Sequence, residues 1–398
     1  MAICLYNGSI VNRFSVIEQC AVLIDKGKIA DVFSQKRFLQ KKFPPETTLI
    51  DTHGAYITPG LIDTHIHGFA GFGVDDYNAE SILRMAEELA KLGVTAFHPT
   101  LYPTDETTMI KGILAIVEAI GKEQRQSPRR GARIMGIHLE GPFLSPEKCG
   151  VQKPETIQPV DVWLFDRLWE AADGFLVNMT VAPEIKNMRE LALSALKKGV
   201  ILQAGHTDAL YENMLEGMQA GILHTTHLFN AMRHMHHRNP GAVGAVLINN
   251  DMSCEVIADG VHVHPDLFKL LLRDKAMDKI VLVTDALLPT CQKTGPFFAN
   301  GEEVVFEGGC WHRKADGVVA GSSLTMPQGL KNLIHFGFPL VDAVRCATAN
   351  PAEVMGYTSQ GRIAPCLDAD IAVFDENWEP QITIIGGEII MNRLNAAQ

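Results

Sequence analysis

Two histidines one residue apart close an apolar run in "PGLIDTHIHG", residues 59–68. In extended chain, side chains at i and i+2 project from the same face, so the imidazoles of His65 and His67 can reach one ion. In a chain with 15 histidines the pair alone is ambiguous. Other runs repeat the theme. Glu140 closes "IMGIHLE", His206 closes "VILQAGH", His227 lies in "ILHTTHLFN" and Asp285 closes "IVLVTD". Each run therefore ends near a side chain able to bind metal or carry a proton. Neutral imidazoles with a carboxylate suit zinc or iron(II) better than magnesium or calcium, which prefer oxygen shells. Such an ion, with an open coordination position, lowers the pKa of its water toward ~7 and polarises a carbonyl oxygen. Asp285 is then the natural proton carrier, base toward the water and acid toward the leaving group.

This chemistry needs elements that bring the ends of separate runs together. "AESILRMAEELAKLG" (79–93) carries apolar residues at helical spacing and leads into the β-branched, aromatic run "VTAFHPT". The same order recurs in "NMRELALSALKKG" before "VILQAGH", "YENMLEGMQAG" before "ILHTTHLF", and "PDLFKLLLRDKAMD" before "KIVLVTDA". Repeated helix-to-strand units, several closed by glycine, predict a (β/α)8 barrel or an open parallel sheet. In a barrel the carboxyl ends of the strands converge on the face where active sites form. The chain ends differ from the middle. "AICLYNGSIV", "CAVLIDKGKIADVF" and "TLIDTHGAYITPG" at one end, and "DADIAVFD" and "QITIIGGEII" at the other, are short runs split by turn residues. Neither end has enough strands to cover a sheet alone, so the two are expected to pair.

The totals narrow the function classes. A formal charge of -11 argues against a nucleic-acid partner. The 8 cysteines are scattered with no CxxC pair, a pattern of reduced thiols rather than a disulfide framework. "MAICLYNGSIVNRF" lacks a basic segment followed by a long apolar core, so no signal peptide is expected. No apolar stretch reaches the roughly 20 residues that cross a bilayer. The expectation is a cytoplasmic globular protein without a membrane or nucleic-acid partner. Weaker signals read plainly: His234, His236 and His237 occupy a polar loop before Asn-Pro-Gly, "GFAGFG" (68–73) is a loop after the first strand, and Met214 and Met218 are core filler.

"HLEGPFLSPEKCG", "AGHTDA", "THLFNAM", "IADGVHVHP", "LVTDA" and "AGSSLTM", together with "PGLIDTHIHG", resemble in that order the amidohydrolase superfamily. More narrowly, they resemble its N-acetylglucosamine-6-phosphate deacetylase family. The resemblance implies a metal-dependent (β/α)8 TIM barrel over residues 58–356. A small β-sandwich domain would be built from 1–57 and 357–398. It implies Glu140, His206 and His227 as primary metal ligands, His65 and His67 as a second metal position, and Asp285 as the catalytic acid/base. One or two divalent ions, zinc or iron, would be held. Implied substrate contacts are Val151, Asn230, Ala231, Arg238, His262 and the backbone of Val319, Ala320 and Gly321. Arg238 would reach in from a second subunit of a homodimer, and with His262 would hold a phosphate; His264 is left as structural. The metal, with a nearby His such as His138 or a neighbour of His206, would stabilise the oxyanion. The reaction implied is hydrolysis of an N-acetyl group from an amino-sugar 6-phosphate. Three alternatives stand beside it: the galactosamine epimer as substrate, another amidohydrolase acting on a cyclic amide, or a scaffold of this fold without catalysis. Gln152 stands where many members of the family carry His, and it bears on the sugar contacts.

Overall fold

The helix Ala79–Ala90 displays the repeating unit. Asn78 caps it, its side chain accepting the Glu80 amide. Ile82, Met85, Ala86 and Leu89 face inward while Glu80 and Arg84 face water. The helix ends at Gly93, whose φ of +79° is a left-handed turn, and a Cβ there would lie 2.7 Å from the Phe374 ring. Glycine thus both reverses the chain and lets the terminal sheet pack close. The chain then enters Val94–Leu101, buried throughout, as expected of a strand covered on both faces.

This computed structural model describes residues 2–292 and 294–394. Eight such parallel strands follow one another around a barrel: Leu61–Ile66, Val94–Leu101, Ile137–Leu139, Leu176–Val181, Ile201–Ala204, His224–Thr225, Ser253–Ile257 and Ile280–Val283. The last returns to the first, where the Asp285 amide donates to the His65 carbonyl at 2.9 Å. Helices between the strands pack their apolar faces on the outside, in one core that includes Ile82, Phe97, Ile113, Phe165, Leu191 and Phe268.

Both chain ends join one mixed, eight-stranded sheet. Ile3–Val11 pairs antiparallel with Val16–Asp25 and parallel with Thr48–Asp51 and Tyr56–Pro59. Tyr56–Pro59 pairs in turn with Ile371–Phe374 from the other end, Ile371 opposite Pro59. Leu5, Ile10, Val22, Ile57, Ile371 and Ile384 form its separate core. The ends meet because neither half can bury its apolar face alone.

One element was not anticipated. After the eighth barrel strand, Phe297–Ala299, Glu302–Glu307, Cys310–Arg313 and Val319–Ser322 form a four-stranded antiparallel sheet. Its second turn is Gly308-Gly309, with φ of +59° and +97° between paired Glu307 and Cys310, the double-glycine geometry of a tight hairpin. Ser322 ties the insert to the barrel rim by donating its amide to the Asp285 carbonyl at 2.9 Å. All eight cysteines are free. No helix among the described residues is long and apolar enough to cross a membrane.

Candidate metal centre

Backbone bonds at the strand ends set the candidate residues at one height. The amide of Glu140 donates to the Leu101 carbonyl, that of Gly205 to Val181, that of Thr226 to Ala204 and that of Leu228 to Glu255, at 2.8–3.0 Å. Gly205 is required here by space: a Cβ would lie 2.7 Å from Thr180 Cγ2 and 2.8 Å from the Thr226 Cβ. His206, His227 and Asp285 adopt φ of +45°, +25° and +49°. Non-glycine residues in this region cost about 1–3 kcal/mol each and persist where the surroundings over-determine them. Here the strain turns three side chains off their strands and into the mouth of the barrel.

Six side chains converge as two trios. Glu140 Oε1 lies 3.1 Å from both His206 Nε2 and His227 Nε2, which are 3.2 Å apart. Asp285 Oδ1 lies 3.5 Å from His65 Nε2 and 3.4 Å from His67 Nε2. Glu140 links the sets, with Oε1 3.5 Å from His65 Nε2 and Oε2 3.5 Å from His67 Nε2.

The donors fit a divalent ion in each trio. Ligand atoms about 2.0–2.2 Å from one tetrahedral ion stand roughly 3.4 Å from each other, close to every spacing above. His65 Nε2 is buried without a hydrogen-bond partner although it faces two carboxylates, which marks it as a lone pair waiting for a cation. The electrostatics agree. Burial alone would lift the carboxyls of Glu140 and Asp285, but the surrounding histidines outweigh it and both lie below their ordinary values. Burial would likewise lower His65 and His67, yet Asp285 and Glu140, with Glu255 at His65, raise both. The buried carboxylates thus draw positive charge into the centre.

Three of the four imidazoles are steered by their other nitrogen. His67 Nδ1 pairs with the Thr100 carbonyl at 2.9 Å, and the Tyr102 ring lies flat on it, 3.8 Å between centroids and 1° between planes. His206 Nδ1 pairs with the Lys148 carbonyl at 3.1 Å. His65 Nδ1 faces the fully buried Glu255 at 3.0 Å. Bonds of this kind set the tautomer that leaves Nε2 free for metal.

A cavity of about 210 Å³ opens over the centre. His67, Glu140, His206, His227 and Asp285 line it, with Val151, Asn230, Ala231, His262, Val319, Ala320 and Gly321 from the expected substrate contacts. His262 Nδ1 pairs with Asp259 at 2.6 Å; burial depresses His262, but the carboxylate overrides this and raises it. Arg238 is not in this pocket. It is exposed, its guanidinium at 2.9 Å from His237 Nε2, in a loop where His234 and His236 are exposed too. His264 caps the helix Pro265–Asp274, its Nδ1 accepting the Asp266 amide.

His138 requires a correction. It does not reach the pocket but lies wholly buried beneath His65, its nitrogens on Thr100 Oγ1 and Thr180 Oγ1. Burial beside the raised His65 holds it well below the ordinary imidazole range, so it is a neutral prop and not an oxyanion donor. Two side chains that do line the pocket, Tyr102 and Gln152, were missed or left open. Gln152 Nε2 donates to Glu140 Oε2 at 2.5 Å, on the oxygen away from His206 and His227. Glu255 was missed as well, although a lone charge inside the apolar run "SCEVIA" is a visible signal.

Residues 56–390 match the model of the Amidohydrolase family. The chain belongs to this family. Among amidohydrolases it is similar to the N-acetylglucosamine-6-phosphate deacetylase of Bacillus subtilis (strain 168), 33% identical over 388 residues that cover 96% of this chain and 95% of that one. The solved structure of the N-acetylglucosamine-6-phosphate deacetylase of Pasteurella multocida superposes with a TM-score of 0.90 at 26% identity, covering 98% and 100% of the two chains. A mutant Mycobacterium smegmatis enzyme, solved in complex with N-acetyl-D-glucosamine-6-phosphate, superposes with a TM-score of 0.88 at 25% identity, covering 98% and 99%. The amidohydrolase fold therefore extends to both chain ends, including the terminal sheet.

Proposed function

We propose that this amidohydrolase removes the acetyl group of N-acetylglucosamine-6-phosphate, yielding acetate and glucosamine-6-phosphate. One observation carries the reading: a single pocket joins two buried His/carboxylate trios to a His262–Asp259 pair suited to a phosphate ester.

Glu140, His206 and His227 would hold one divalent ion, zinc or iron, and His65, His67 and Asp285, with Glu140 shared, a second. Such an ion supplies a water of lowered pKa and polarises the acyl oxygen. Asp285, held as a carboxylate by His65 and His67, accepts the water proton. It then delivers that proton to the departing nitrogen, because an amide anion is too basic to leave unaided. Gln152 keeps Glu140 turned toward the trios. His262, cationic beside Asp259, anchors the phosphate, and fixing that remote group orients the acetamide over the centre. The backbone of Val151 and of Val319–Gly321, with Asn230 and Ala231, bounds the sugar.

Arg238 stands outside the pocket of its own chain, and a second copy in a homodimer would bring it to the phosphate opposite His262. A planar guanidinium meets phosphate oxygens two at a time, which is the use an exposed arginine at a loop tip offers a neighbouring site. We place the enzyme in the cytoplasm and divide it into a barrel over 58–356 and a terminal unit from 1–57 and 357–398.

The deciding experiment is acetate release by metal-replete protein from N-acetylglucosamine-6-phosphate, N-acetylgalactosamine-6-phosphate and unphosphorylated N-acetylglucosamine, with a cyclic amide alongside. Turnover of the gluco-phosphate well above the rest is expected. Preference for the galacto-phosphate would move the substrate to the epimer. Release from none, with metal bound, would sink the deacetylase reading.

A further inference from the structure

Glu255 is a carboxylate that the reaction leaves without a task, yet it sits directly beneath the metal centre and is fully buried. A carboxylate removed from water is costly unless it is paired and hydrogen-bonded, so its partners state its purpose. Its Oε2 meets His65 Nδ1 at 3.0 Å and accepts the His227 backbone amide at 3.4 Å. Its Oε1 accepts Thr64 Oγ1 at 3.4 Å and Gln203 Nε2 at 3.5 Å. Its carbonyl accepts the Leu228 amide at 2.8 Å.

Two of those partners stand in different trios. His65 belongs to the trio of Asp285. His227 belongs to the trio of His206, and its backbone lies in the strained region, φ +25°, with Phe229 two residues on at φ +80°. Among the four ligand histidines, His67 and His206 lean on neutral carbonyls and His227 Nδ1 is buried with no partner. His65 alone leans on an anion. One carboxylate thus fixes the tautomer of a ligand in one trio and pins the turn that presents a ligand of the other.

We propose that Glu255 is the positioning residue that couples the two metal positions, fixing His65 in its Nδ1-protonated form while holding the His227 turn in place. This rests on the reading of the six side chains as metal ligands. Losing Glu255 weakens both positions together, although it touches neither ion. Outer partners of this kind typically contribute about 10–100-fold in metal affinity.

The test uses the full chain, stripped and reloaded with zinc or cobalt(II), with the two affinities read by competition against a chromophoric chelator. E255Q keeps the shape and removes the charge. It should bind both ions at least about 10-fold more weakly and change the visible spectrum of the cobalt(II) protein, with the melting temperature of the stripped protein as the folding control. E255D, which keeps the charge but draws it back from His65, should weaken binding in the same sense and serves if E255Q does not fold. In an H65N background, with the His65 position lost, E255Q should still weaken the remaining ion, through the His227 turn. An unchanged affinity there would overturn the coupling. Wild-type affinities and spectrum in E255Q or E255D would overturn the proposal entirely. A wild-type chain that binds no divalent ion would instead sink the metal-centre reading beneath it.

Discussion

The two trios are built from the same chemistry but held in different ways. In the trio of Glu140, His206 and His227 the donor atoms already lie 3.1–3.2 Å apart, with a neutral carbonyl behind His206 and a strained turn at His227. In the trio of His65, His67 and Asp285 the carboxylate oxygen stands 3.4–3.5 Å from the two imidazoles, with a buried carboxylate behind His65 and a carbonyl and flat aromatic ring behind His67. A tight trio is preorganised by its own strand ends. A looser one depends on what the barrel interior places behind it. The first position should therefore bind its ion more strongly than the second.

The largest effect should come from Asp285→Asn, the one trio member that also carries a proton. Its kcat for acetate release should fall about 10²–10⁴-fold, while metal analysis finds the Glu140 trio still loaded. Loss of both ions would break the distinction between the trios. Glu140→Gln tests the link between them, because Oε1 reaches His206, His227 and His65 while Oε2 reaches His67. Both positions should empty, by more than the roughly 10–100-fold expected for an outer partner, whereas His67→Asn should empty only one. If Glu140→Gln spares the His67 position, the trios are independent.

His262→Asn should leave both metal affinities alone and raise KM for the phosphorylated sugar roughly 10–100-fold, the worth of a hydrogen bond to a charged group, with little change for the unphosphorylated one. Asp259 raises the His262 pKa, and Asp285 adds to this. The cation is therefore present below that raised value and is lost as pH climbs through it. KM for the phosphate should rise on the alkaline side with kcat steady, and His262→Asn should flatten that limb. A pH-independent KM in the parent enzyme would remove His262 from phosphate binding.

The smallest effect belongs to Tyr102→Leu. Removing the ring stacked on His67 forfeits about 0.5–1.5 kcal/mol, a few-fold loss of affinity confined to the second position. An equal loss at both would mean that the ring supports the pocket and not that histidine.

Much of this was legible because it is local. The rhythm of helix, glycine and strand is written in windows of about 15 residues, and each candidate ligand stands where an apolar run stops, which is where a strand must end. The Gly308-Gly309 hairpin was present in the letters too, as was Glu255 inside "SCEVIA", but a single charge within an apolar strand has no meaning until its facing residue is known. His138 misled for the same reason. It lies two residues before Glu140 in the same run, yet one layer deeper its neighbours are Thr100, Thr180 and His65 rather than the pocket.

By itself the sequence determined the kind of chain this is: a βα series with side chains able to bind metal at its strand ends and paired β-structure at its termini. Periodicity and residue chemistry are properties of neighbours along the chain. Only the tertiary structure decided which candidate ligands form which trio, that Glu140 lies between them, and that Glu255 touches both. Asp285 meets His65 across 220 residues because the eighth strand closes on the first, and closure of a barrel is a property of all eight strands at once.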